Sequence, residues 1–237
     1  APTPITAFIS VAPKIAGFVV MFRIFQVAFP PYEFNMRLLV AFLSAVTMTV
    51  GNLSAMHQLN VKRMLAFSTI SHVGYMLMGF AAGTSFGFQA VLMYLGAYAI
   101  MNIGAFAVVV QVANRYGNDT LADFAGLSKQ SLSTALGLAF ILLSLAGIPP
   151  TVGFLGKWFV FSAAISSGLW WLAVVGALNA VVALYYYFRI VHQMFFVEPL
   201  RQEDIAPNPA LAFALTFTLA ATIGLGVFPQ ALFSATE

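Results

Sequence analysis

The sequence predicts an all-α integral membrane protein of about seven transmembrane helices, one of them discontinuous. Three observations carry that prediction. Of 237 residues, 61% are hydrophobic and 7% charged, whereas soluble domains carry about 25% charged residues. The apolar residues gather in runs of about 20, the length a helix needs to cross a bilayer. One run, LSLAGIPPTVGFLGKW at 143–158, is broken: Pro149 and Pro150 remove two backbone donors, and Gly147, Gly153 and Gly156 loosen the turns around them.

The elements follow in order. A first span at 4–29 contains Pro13 and Lys14 at mid-length and Arg23 near its end, and stops at Pro30-Pro31-Tyr32-Glu33. A second at 37–56 gives way to the polar stretch HQLNVKR, and a third at 65–83 carries Ser68, Ser71, His72 and Tyr75. The fourth, 87–114, bears Tyr94, Tyr98 and Asn102 at i+4 spacing and runs into the linker NRYGNDTLADFAGLSKQ. The fifth, 134–165, is the broken one, with its interruption expected at 148–153. The sixth, 169–196, holds a lone Asn179 and ends with Tyr185, Tyr186, Tyr187 and Arg189, which read as an interfacial aromatic belt. EPLRQEDIAPNP separates it from a seventh span at 209–233. Gly79-x-x-x-Gly83 is a weak signal for close helix contact. The sequons at Asn52 and Asn118 are discounted, because one lies in a span and the other on the expected inner side.

Net charge is +3 with a pI near 9.3, but the ten basic residues form no patch of the kind nucleic acid requires. They speak to topology instead. Loops after the second, fourth and sixth spans hold Lys62, Arg63, Arg115, Lys129 and Arg201, while the opposite side offers Arg37. The positive-inside rule therefore makes the first group cytoplasmic, with Ala1 on that side and Glu237 outside. Asp119, Asp123, Glu198, Glu203 and Asp204 do not oppose this, since acids contribute little to the rule. The absence of cysteine excludes thiolate-held iron–sulfur clusters, thiol catalysis and disulfides within the chain. His57, His72 and His192 have no metal-ligand partner at close helical spacing, and no glycine-rich phosphate loop follows a strand. No cofactor is expected on this chain. It opens with APTP, without initiator methionine or a basic leader, and reads as the middle of a longer protein.

Ionisable groups inside the spans are the candidates for function. A lysine at the bilayer centre costs about 2.5–3.5 kcal/mol on insertion scales, so Lys14 and Lys157 point to an ion pathway. Lys14 has about ten helical residues on either side, roughly 15 Å, further than its stem comfortably snorkels. The bland alternatives are a charged Lys14 held by carbonyls that Pro13 leaves free, and a Lys157 reaching a headgroup. Arg23, nearer its span end, reads as a snorkelling anchor. Ser68, Ser71, His72 and Tyr75 fall at i, i+3, i+4 and i+7, on one helix face. Such a stripe suits a proton relay around a histidine, or equally plain hydrogen bonding between helices. Tyr94, Tyr98 and Asn102 are a possible polar lining, with packing as the alternative.

GNLSAMHQLNVKRMLAFSTISHVGYMLMG (51–79), YLGAYAIMNIGAFAVVV (94–110), LSLAGIPPTVGFLGKW and ALNAVVALYYYFRIV (177–191) together resemble the N subunit of bacterial NADH–quinone oxidoreductase, the respiratory complex I subunit also seen in plastids and mitochondria. Asn60 before Val61-Lys62-Arg63 and the YYYFR ending favour the N type over its sister subunits. The resemblance implies an antiporter-like fold of two inverted five-helix repeats, each with a broken helix. A single membrane domain over 1–237 would then comprise the last helix of the first repeat (4–29), the whole second repeat (37–196) and a trailing helix (209–233). It also implies roles: Lys14 as the central-axis lysine, His72 as the polar link and Lys157 as the broken-helix lysine at the end of the relay. The family's paired glutamate and lysine of the first half-channel have no counterpart here, as expected of a fragment or a split protein.

The function expected is proton translocation by a membrane subunit, driven by quinone reduction elsewhere in a complex. NADH, FMN, iron–sulfur clusters and quinone would belong to other subunits, and the partners would be those membrane subunits, the lipid bilayer and protons. The setting would be the bacterial inner membrane, or its plastid or mitochondrial equivalent. Two alternatives stand beside it: a subunit of a multisubunit cation/proton antiporter, and a structural scaffold, for which two mid-span lysines have no evident use.

Overall fold

The structure is a computed structural model that describes residues 2–28, 34–199 and 208–228. The Pro30-Pro31-Tyr32-Glu33 connection, Arg201, Glu203, Asp204 and the terminal residues Ala1 and Glu237 lie outside the described residues.

Among the described residues the chain is helical: α1 (Thr3–Ala28), α2 (Phe34–Met56), α3 (Val61–Ala81), α4 (Ser85–Tyr116), α5 (Leu127–Gln130), α6 (Leu132–Ala146), α7 (Val152–Ser166), α8 (Trp170–Phe196) and α9 (Pro209–Val227), with a 3-10 turn at Leu121–Phe124. Six of these, α1 to α4, α8 and α9, are long and apolar enough to cross a membrane alone. The shorter α6 and α7 lie in series and together make the seventh, broken span. The protein is an integral membrane protein.

Helix starts are set by local chemistry. The Asn60 side chain accepts from Arg63 N at 2.9 Å to open α3, Thr84 accepts from Gly87 N at 3.0 Å to open α4, and Asn208 accepts from Ala210 N at 3.0 Å just before Pro209. The break in the fifth span runs from Gly147 to Thr151, slightly ahead of the expected 148–153. Gly147 takes a left-handed φ of 93°, which ends α6 without Cβ strain. Thr151 then caps α7, so Val152 and Gly153 are already helical. The linker read as loop between the fourth and fifth spans contains the 3-10 turn and α5.

The interior sits on α3 and α4, the two most buried spans, while α1 and α9 are peripheral. Close backbone approach joins α2 to α3: a Cβ at Gly74 would lie 2.5 Å from Met48 N, and one at Gly51 2.6 Å from Ser71 N. Gly79 pairs across the α3–α4 corner with Gly87, whereas Gly83 serves the turn with φ 66°.

Arginines fasten opposite ends of the bundle. Arg37 donates from Nε to Ala81 O and from Nη2 to Ser167 O, both at 3.3 Å, so one side chain closes the C-terminal ends of α3 and α7. At the other end Arg189 Nη1 donates to Met56 O at 2.8 Å, at the end of α2. Beside it, the α2–α3 turn is tied to the α4–α5 linker. Val61 N donates to Asp119 O at 2.8 Å, Leu121 N donates to Leu59 O at 2.7 Å, and Lys62 pairs with Asp119 at 2.8 Å. Asn60 also donates to the Asp119 carboxylate.

Candidate functional site

Three helices, α3, α4 and α8, meet at His72, at mid-length of α3 and 2% exposed. Its Nδ1 meets Tyr94 Oη of α4 at 2.9 Å, and its Nε2 meets Tyr187 Oη of α8 at 3.2 Å. Neutral imidazole has one donor nitrogen and one acceptor nitrogen, so one tyrosine donates to His72 while the other accepts from it. The Tyr98 ring lies 4.9 Å from the imidazole and the Tyr75 ring 6.3 Å, both between centroids. His72 therefore stands in a cage of four buried tyrosines.

The cage reaches a lysine on each side. Lys14 Nζ, from α1, lies 5.3 Å from the Tyr98 ring centroid, and Lys157 Nζ, from α7, lies 4.9 Å from that of Tyr75. Both distances are within the range in which a ring quadrupole attracts a cation. The resulting row is Lys14, Tyr98, His72, Tyr75, Lys157, drawn from α1, α4, α3, α3 and α7 in turn.

The two lysines are held differently. Lys157 is 6% exposed, and its Nζ donates to Leu145 O at 3.0 Å and Ala146 O at 2.6 Å. Those are the last carbonyls of α6, freed by the break and lying at the negative end of that half-helix. A Cβ at residue 147 would fall 2.8 Å from Lys157 Cδ, so Gly147 leaves room for the lysine stem as well as turning the chain. Lys14 Nζ is buried without a hydrogen-bond partner among the described residues. It borders an open groove of about 210 Å³ lined by Gly17, Phe18, Met21, Val73 and Leu77.

The remaining candidates divide. Tyr94 packs edge-on against α7, where a Cβ at Gly156 would come within 2.6 Å of its Cδ2, one residue from Lys157. Tyr75 Oη donates to Gly176 O of α8 at 3.2 Å. Asn102 lies off the row and donates to Ser10 Oγ, one turn before Lys14 on α1. Ser68 Oγ donates to Leu65 O of its own helix at 2.8 Å. Ser71 turns towards Gly51 of α2, away from the cage. Arg23 lies near the end of α1.

The tyrosine run at 185–187 is not a uniform belt. Tyr185 is 56% exposed, but Tyr186 and Tyr187 are fully buried, and Tyr187 is a wall of the cage. Asn179 is not alone either. Its side chain accepts from Asn52 Nδ2 at 3.0 Å and donates to Thr49 Oγ1 at 3.1 Å, while Tyr186 Oη donates to Asn52 Oδ1 at 3.1 Å. Periodicity holds the missed signal: 186 and 187 point elsewhere than 185 on a helix that continues to Phe196. Among the described residues no group of His, Asp and Glu is arranged to hold a metal ion.

Residues 1–183 match the family described as NADH:quinone oxidoreductase/Mrp antiporter, TM. The chain belongs to that family. Among its relatives, NADH-quinone oxidoreductase subunit N of Trichlorobacter lovleyi is 44% identical over 97% of this chain and 48% of the relative. Subunit N of Beijerinckia indica is 42% identical over the whole chain and 50% of its own length. The chain thus spans about half the length of the curated relatives it matches. Among solved structures, a chain of the archaeal membrane-bound sulfane sulfur reductase superposes with TM-score 0.92 at 30% identity, covering all of this chain and 48% of that one. A chain of respiratory complex I from Thermus thermophilus superposes with TM-score 0.81 at 30% identity, over all of this chain and 52% of the other. A chain of the Mrp complex from Dietzia, at 24% identity and TM-score 0.90 over 99% of this chain and 52% of that one, shares the fold. The antiporter-like architecture read from the sequence motifs is the fold of this family.

Proposed function

We propose that this chain is the second-repeat portion of a subunit N-type membrane subunit of an NADH–quinone oxidoreductase and moves protons along Lys14, His72 and Lys157. The observation that carries the reading is the unbroken row of titratable and aromatic groups from α1 to α7, centred on a histidine contacted by hydroxyls at both ring nitrogens. Identities of 42–44% to relatives named subunit N favour this over a cation/proton antiporter subunit, for which the Mrp likeness speaks only to fold. In this reading α1 closes the first repeat, α2 to α8 form the second and α9 trails it. NADH, FMN, iron–sulfur clusters and quinone sit in other subunits, and membrane subunits are the partners. The membrane is a bacterial inner membrane, with the Lys62 and Arg63 turn on its cytoplasmic side.

Lys157 would exchange its proton between the Tyr75 side of the row and the open end of α6. Histidine suits the middle position, because accepting a proton at one nitrogen and releasing another from the second moves charge across the ring. The test uses the assembled complex in sealed vesicles. Lys157→Ala should leave the subunit incorporated but reduce proton uptake and coupled quinone reduction. Lys157→Arg should also impair uptake, since a guanidinium keeps its proton. A structural lysine predicts the reverse, with Arg preserving activity and Ala losing assembled complex. Wild-type pumping by Lys157→Arg would end the carrier role.

A further inference from the structure

His72 Nε2 is not engaged by the Lys14–Lys157 row, and the hydrogen bonds that start there lead elsewhere. Tyr187 Oη meets Nε2 at 3.2 Å, and the rings of Tyr187 and Tyr186 lie 4.5 Å apart. Tyr186 Oη donates to Asn52 Oδ1 at 3.1 Å, and Asn52 in turn donates to Asn179. Asn52 is fully buried, yet stands four residues from the end of α2, about 6 Å along the axis. His72 stands eleven residues from the start of α3 at the same end of the bundle, about 16 Å. The polar groups therefore climb from mid-depth towards the end that carries Lys62 and Arg63.

We propose that Tyr187, Tyr186 and Asn52 form a side branch giving His72 its own proton access from the Lys62–Arg63 face of the membrane. The proposal rests on the proton-relay reading above. Each step balances as a transfer through a hydroxyl. Tyr186, its hydroxyl turned from Asn52 Oδ1 to Tyr187, takes a proton on its oxygen and passes its own to Tyr187, Tyr187 does likewise to His72 Nε2, and the imidazolium that forms holds the charge with its Nδ1–H donated to Tyr94 Oη. No tyrosine is left charged. Asn52 and Asn179 are positioning residues: an amide does not relay a proton, but Asn52 accepts from the Tyr186 hydroxyl and Asn179 fixes Asn52 in turn. A mere lock between α2 and α8 would need only the asparagine pair and the Arg189–Met56 contact, not two buried phenols in line with a histidine.

The experiment uses the assembled complex in sealed vesicles, with Tyr186→Phe and Tyr187→Phe, which keep the rings and remove only the hydroxyls. Per assembled complex, proton uptake from the Lys62–Arg63 side should slow by about tenfold or more in each. Lys157→Ala is measured alongside. If Lys157→Ala is impaired and both phenylalanine variants pump like wild type, the branch is wrong and the main relay stands. If Lys157→Ala pumps normally, the relay and the branch fail together. Direction is read separately by Asn52→Cys, the chain having no cysteine of its own. A membrane-impermeant methanethiosulfonate should modify it faster from the Lys62–Arg63 side than from the Arg37 side. Equal rates, faster modification from the Arg37 side or no modification would overturn the proposed access.

Discussion

Gly156 carries more of the site than its lack of a side chain suggests. A methyl there would press to 2.6 Å on the Tyr94 ring, which holds its hydroxyl 2.9 Å from His72 Nδ1. Alanine favours a helix over glycine by about 1 kcal/mol, yet over-packing costs about 1–3 kcal/mol. We therefore expect Gly156→Ala to change stability little while slowing proton uptake by moving Tyr94 off the histidine. In a Tyr94→Phe background the same change should add no further loss, because both act through one contact. Additive losses in vesicle assays would show that Gly156 acts by another route. Residues such as this mark the limit of sequence reading. Lys14, His72 and Lys157 stood out because charge in an apolar run is costly. Gly156 and Tyr187 did not, because their significance depends on which helix lies opposite.

At the scale of the helices, the break was legible and its clamps were not. Two prolines among glycines announce an interruption, and only the cap geometry moved it from 148–153 to 147–151. Arg37 was legible only as a charge for topology, yet it fastens the ends of α3 and α7 through partners 44 and 130 residues away along the chain. Removing it leaves two helix-end carbonyls without that donor. Arg37→Leu should lower stability by about 1–2 kcal/mol, seen as earlier thermal dissociation of the subunit from the detergent-solubilised complex. Arg37→Lys should recover only part, since an ammonium lacks the fork that spans two acceptors. Unchanged melting of Arg37→Leu would mean that the clamp contributes nothing.

For the whole molecule, alternation of the spans fixes which groups share a face. The α2–α3 turn with Lys62, the linker with Asp119 and the α8 end with Arg189 are bound together at one end, and Arg37, Ala81 and Ser167 meet at the other. That grouping agrees with the loop assignment made from positive charge alone. Single cysteines replacing Gln58 and Gly168 should react with impermeant thiol reagents from opposite sides, Gln58→Cys from the cytoplasm. Labelling of both from one side would refute the arrangement. The span count, their order and the break were readable in the apolar runs; the convergence of α3, α4 and α8 on one histidine was not, because no local pattern encodes which faces meet.

The seat of Lys157 has a mechanical side. Its ammonium is what closes the open end of α6, through Leu145 O and Ala146 O. Charge-assisted hydrogen bonds are roughly twice as strong as neutral ones, so a departing proton also loosens that closure. In the proposed relay the firmness of that closure follows the proton on Lys157, so the end of α6 is held most tightly when the lysine is loaded.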